Sequence, residues 1–161
     1  VAIKIPNALK LIIALVACQL AGVIGSVFTT RSIDTWYRTL IRPSYAPPNG
    51  VFAPVWISLY VLMGIAAFIV WRRGLQYPGV REGLLAFLMQ LVLNACWSIA
   101  FFGLRSPLAG LVVIIVLWIE ILITIIYFFR VSRNSGLLML PYIAWVSFAA
   151  VLNYGFFALN R

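Results

Sequence analysis

The chain has 161 residues, 65% of them hydrophobic and 9% charged, with a formal net charge of +9. That balance excludes a soluble domain. The basic residues flank apolar runs instead of interleaving with aromatics, which argues against nucleic acid and for phospholipid headgroups. There is no His, and the two cysteines, Cys18 and Cys96, both lie in apolar runs. The usual zinc sites and any Ser-His-Asp or Cys-His centre are therefore excluded, and no metal or required cofactor is expected.

Val1 to Lys10 is a short basic tail, followed by a first apolar span over 11–28. This run is too long for a signal-peptide core and reads as retained. Ala17, Ala21 and Gly25 are spaced four apart, as are Ala14, Cys18 and Gly22, so a neighbouring helix, in this chain or another, can approach closely. The loop over 29–50 comes next. It opens the stretch from Trp36 to Tyr60, which carries Pro43, Pro47, Pro48 and Pro54 among two tryptophans and three tyrosines. Each proline fixes its own φ and biases its predecessor towards extended backbone, which makes the loop stiff and lid-like. Ser32 or Asp34 is placed to cap a short helix running to about Ile41, with Trp36 and Leu40 on one face.

The second span covers 51–71, with Pro54 either in its first turn or at a kink. A polar connector with Gly74, Pro78 and Gly79 leads to the third span, 83–103. The turn Arg105-Ser106-Pro107 leads to the fourth, 108–129. A fourth connector, 130–136, precedes the fifth, 137–159. Each span is about 18 to 23 residues long, enough for a bilayer core of roughly 30 Å. Helices satisfy their own backbone in lipid, and none of these segments shows the alternation of a barrel. The expected fold is therefore all-α: one integral membrane domain of five transmembrane helices. Lys4, Lys10, Arg72, Arg73, Arg81, Arg130 and Arg133 fall on one side, and Arg31, Arg38, Arg42, Arg105 and Arg161 on the other. The bias favours a cytoplasmic amino terminus.

Polar side chains inside the spans carry the functional information. Gln90, Asn94, Trp97 and Phe101 share a helix face at offsets 0, 4, 7 and 11. That face is either a pocket wall with directed donors or an interhelical hydrogen-bond ladder. Tyr142, Trp145, Ala149, Leu152 and Phe156 line a face of the fifth span, with Asn153 beside it. Small Ala149, one turn from the ring of Trp145, leaves room for a flat ligand. Trp56 and Tyr60 are four apart in the second span. Together these groups fit a mostly apolar cavity with a few polar handles, the usual small-molecule site. Glu120 is the one acid well inside a span, expected to be neutral or facing a protein contact.

Three blocks of residues resemble one family. They are Trp36-Tyr37, Leu40, Pro43, Pro47-Pro48, Val51-Phe52, Pro54, Trp56 and Leu59-Tyr60; then Gln90-Leu91, Asn94, Trp97-Ser98 and Phe101-Phe102-Gly103; then Pro141-Tyr142, Ala144-Trp145, Phe148-Ala149, Leu152-Asn153 and Leu159-Asn160. Their order and spacing resemble the tryptophan-rich sensory protein family, also called the translocator protein or peripheral benzodiazepine receptor family. The resemblance implies a five-helix bundle, often a homodimer, with a pocket under the first loop. It also implies a multi-pass protein of a bacterial or archaeal envelope membrane. The ligands implied are porphyrins such as protoporphyrin IX and haem, and synthetic isoquinoline carboxamides and benzodiazepines. Trp56 and Trp145 match the tryptophans whose indoles face the ligand. Asn94, Trp97, Ala149 and the Pro47-Pro48 region match other pocket positions. Trp36, Tyr37, Tyr60, Phe101 and Asn153 complete the expected ligand-binding set. The family's cholesterol motif fails here, because six residues separate Tyr154 from Arg161, one too many.

The expected function is thus a membrane receptor or sensor that binds tetrapyrroles in the bundle and regulates their handling or a stress response. The alternatives are a light-dependent porphyrin-degrading enzyme, in which Trp56 and Trp145 take part, and a porphyrin or sterol transporter. Against transport stand the lack of internal repeats and of a polar path through the spans.

Overall fold

The computed structural model describes residues 5–161, so Lys4 and its place in the charge count lie outside the described residues. Among the described residues there are five membrane-length helices and no strand. They are α1 (Asn7–Ile33), α2 (Phe52–Trp71), α3 (Val80–Ser98), α4 (Pro107–Val131) and α5 (Arg133–Leu159). Their contacts close a ring in the order α1, α2, α5, α4, α3. The small residues of α1 turn inward: Ala14, Cys18, Ala21 and Gly25 are buried in this chain's own core. A Cβ on Gly22 would run into the Tyr60 ring, so glycine there sets how closely α1 and α2 pack.

Several boundaries differ from the sequence reading, each for a local reason. α1 runs on past 28 to Ile33. Its last-turn hydroxyls bond back along the helix, Thr29 Oγ1 donating to Gly25 O at 3.1 Å and Thr30 Oγ1 to Ser26 O at 2.8 Å. Ser32 and Asp34 therefore do not cap a following helix. Ser32 lies in α1 and donates to Phe102 O at 2.7 Å, and Asp34 is the residue after it. The expected short helix is one 3-10 turn, Tyr37–Thr39.

The connector expected over 130–136 shrinks to a single extended residue, Ser132. Arg130, Arg133 and Asn134 are polar but compatible with a helix, so α4 runs to Val131 and α5 begins at Arg133. Pro54 sits in the first turn of α2, where no donor is lost. Pro141 lies inside α5, where the missing N–H interrupts the ladder. The turn before α4 forms as expected. Arg105 takes a positive φ of 52°, and Ser106 caps α4 by accepting from Ala109 N at 3.1 Å.

The third span ends in a wider turn. Over Ile99–Gly103 the helix becomes π, with Leu104 N donating to Ile99 O at 2.8 Å. The extra residue per turn lets consecutive Phe101 and Phe102 both be buried. Towards the α2–α3 connector the bundle is packed solid. Phe87 stacks on Phe128 with centroids 5.6 Å apart, among Met63, Val70, Val80 and Met139, all fully buried.

Candidate functional site

At the opposite end, under the α1–α2 loop, the helices part around a cavity of about 480 Å³. Its wall comes from α1, α2, α3 and its π turn, and α5, with Tyr37 and Asn49 from the loop. Small residues leave the space: Gly22, Gly25, Ala53 and Ala149 all face it. The wall is not continuous. Val23 of α1 and Ile57 of α2 line the cavity yet are more than half exposed, so it opens sideways between these helices.

The aromatic lining is fixed by ring contacts. Trp56 stacks on Tyr60 at 5.6 Å and meets the edge of Tyr142 at 6.3 Å. Trp97 stacks on Phe101 at 5.6 Å. Trp145 sits edge-on to Phe52 at 6.0 Å. Such pairings add about 0.5 to 1.5 kcal/mol each beyond area burial and hold the rings in place.

Two hydrogen-bond systems support this wall. In the first, Tyr60 Oη donates to Asn94 Oδ1 at 2.6 Å, and Asn94 Nδ2 donates to Tyr142 Oη at 3.0 Å. Tyr142 Oη in turn donates to Gln90 Oε1 at 2.8 Å. This chain runs one way, from the cavity into the bundle. In the second, Trp97 Nε1 donates to Asn153 Oδ1 at 3.0 Å, and Asn153 Nδ2 donates to Pro107 O at 2.7 Å. Trp97 is thereby locked to α5 and to the start of α4. Trp145 Nε1 is buried with no protein partner. Gln90 Nε2, deeper in the bundle, is likewise buried without a partner.

The loop forms the roof and is fastened to α5. Asn160 Oδ1 accepts from Ile41 N at 2.8 Å, and Asn160 Nδ2 donates to Ile41 O at 3.0 Å. Tyr45 Oη donates to Val151 O at 3.2 Å. Pro43 and Tyr45 press on Gly155 so closely that a Cβ there would displace them. Burial pushes the Tyr37 phenol above its ordinary pKa, and nearby Arg42 opposes that shift.

Of the expected site residues, Tyr37, Trp56, Tyr60, Asn94, Trp97, Phe101, Trp145, Ala149 and Asn153 come together on this wall. Trp36, Pro47 and Pro48 do not. Trp36 packs behind the wall on Phe101 at 5.7 Å. Pro47 and Pro48 shape the loop from outside the lining, Pro47 by accepting from Arg42 and Pro48 by leading into the turn Asn49–Val51. Gln90 lies on the same face as Asn94 but one turn deeper, beyond the cavity, bonded to Tyr142. Glu120 is half-buried on α4, which contributes nothing to the lining. The α1 side of the wall, including Gln19, Ser26, Thr29 and Thr30, was not singled out from sequence. The available signal was an amide and a hydroxyl inside the apolar span and two hydroxyls just past its expected end.

Residues 14–159 match the TspO/MBR family. A "Tryptophan-rich protein TspO" of Chlorobaculum tepidum is 44% identical over 94% of this chain and 96% of its own length. A protein of the same name from Archaeoglobus fulgidus is 44% identical over 96% and 99%. The human "Translocator protein" is 33% identical over 86% and 82%. With five membrane-length helices and similarity along nearly its whole length to these proteins, the chain belongs to the TspO/MBR family.

Proposed function

We propose that this protein is a membrane receptor that binds porphyrins in the cavity beneath the α1–α2 loop and so senses or regulates tetrapyrrole handling. The observation that carries the reading is the set of three indoles, Trp56, Trp97 and Trp145, around a space of about 480 Å³ kept open by Ala149 and Gly22. A flat aromatic ligand gains most from ring faces held at fixed angles. The size and apolar character of the space suit a small-molecule site.

The test is titration of purified protein with protoporphyrin IX, followed by tryptophan fluorescence. Saturable quenching is expected for the wild type and its loss for Ala149→Phe, which fills the cavity without removing a donor. Equal affinities for the two would place the ligand elsewhere. Under illumination, a receptor lets the porphyrin's Soret band bleach no faster than it does for the free porphyrin. Loss of that band with a defined product would assign an enzyme instead.

A further inference from the structure

We infer that Arg42 is the residue that receives the carboxylates of an acidic ligand at the rim of the cavity. The inference rests on the porphyrin reading above and adds to it which edge of the ligand stays outside.

Among the described residues, no Lys, Arg, Asp or Glu lines the cavity. A carboxylate drawn inside would lose its hydration and gain no charged partner, which is costly in apolar surroundings. An acidic ligand must therefore keep its charged edge at the opening. Tyr37 and Asn49 line the cavity from the loop, Tyr37 buried and Asn49 exposed, so the cavity also reaches the surface on that side. Arg42 is mounted on these same two residues. Its Nη1 donates to Asn49 Oδ1 at 2.9 Å, and its guanidinium carbon lies 5.8 Å from the Tyr37 ring centre. Its Nη2 donates to Pro47 O at 2.8 Å.

Both acceptors are neutral, so neither bond compensates the charge. A guanidinium has five N–H donors. Two are used in these bonds, and the remaining three are available to a planar carboxylate. The stiff proline loop and the two bonds hold the group in one orientation, so little freedom is lost on binding. Arg31, Arg38, Arg105 and Arg161 belong to the same end of the bundle, against one acid, Asp34, and their field draws anions towards the opening.

A brace for the loop and a receiver of carboxylates make different predictions. The experiment compares protoporphyrin IX with its dimethyl ester, which has the same ring without the charges. Both are titrated against wild type, Arg42→Gln and Arg42→Lys in a non-ionic detergent. The wild type should prefer the acid, and that preference should shrink at high salt. Arg42→Gln should weaken acid binding about fivefold, the upper range for an exposed ion pair, and leave the ester unchanged. Arg42→Lys should recover part of the acid's affinity. Equal losses for acid and ester in Arg42→Gln would make Arg42 a brace only and overturn the inference. So would a wild-type preference insensitive to salt, a readout that needs no variant to fold. If the wild type bound neither compound, the porphyrin reading itself would fall.

Discussion

The two ends of the bundle are built from the same apolar alphabet, yet one is solid and the other hollow. Near the α2–α3 connector, large side chains meet at the axis: Phe87 on Phe128, with Met63 and Met139 beside them. Under the loop, the inward positions of α1, α2 and α5 carry Gly22, Gly25, Ala53 and Ala149, and the aromatic rings are pushed to the wall. Hydropathy does not distinguish the two ends. The size of the inward residue does, and with it the presence of hydrogen-bonded partners that keep rings from collapsing into the gap. A cavity persists only where its walls are held from behind. Here Asn94, Tyr142 and Asn153 do that holding.

The contrast yields four expectations. The largest effect belongs to the solid end: Phe87→Ala should cost about 3 to 5 kcal/mol of stability while porphyrin affinity of the folded fraction stays constant. Thermal unfolding in detergent, paired with titration, checks it. A fall in affinity matching the fall in stability would show that the two ends are one mechanical unit. Next come the hollow end's rings. Trp56→Phe and Trp145→Phe should each weaken binding by about 1 to 3 kcal/mol, roughly 5- to 150-fold. Trp118→Phe is the internal control, because its indole donates to Ser147 Oγ at 2.8 Å and faces no part of the cavity. Unequal stability with equal affinity in this trio would remove the indoles from the site.

A smaller effect is expected for Tyr60→Phe, which deletes the first donor of the chain leading to Gln90. One interhelical bond in a membrane bundle is worth about 0.6 kcal/mol, so affinity should drop less than about threefold. A tenfold drop would mean that the hydroxyl touches the ligand directly. The smallest is Glu120→Gln on α4, outside the cavity wall, where folding and titration curves should overlay those of the wild type. A lost binding curve in well-folded protein would give this acid a role that its position does not suggest.

Much of this was readable from the chain alone, because helix periodicity and the expense of burying polar groups in lipid act locally. The stripe of Gln90, Asn94, Trp97 and Phe101 points into the bundle as its spacing required, and it is a ladder and, past Gln90, a cavity wall as well. Ala149 opens space beside Trp145 as its size suggested. What escaped depends on neighbours distant in sequence. Nothing around Phe101 announces the π turn that turns Phe102 inward as well. Arg130 to Gly136 looked like a connector because polarity marks the edge of the hydrocarbon, not the end of a helix. The family resemblance puts Pro47 and Pro48 at the pocket, and Trp36 is in the expected ligand-binding set, yet none of the three joins the lining. Which loop residues look down was decided by the clasp between Ile41 and Asn160, 119 residues apart in the chain.

That clasp has a consequence in time. The loop is made between the first and second helices, but the side chain that fastens it lies 119 residues later. A ribosome adding about 5 to 20 residues per second leaves the loop without its fastening for several seconds while the later helices are made. The roof is therefore synthesised well before it can be fastened. A nascent chain halted just before Asn160 has its walls but lacks this fastening of the cover.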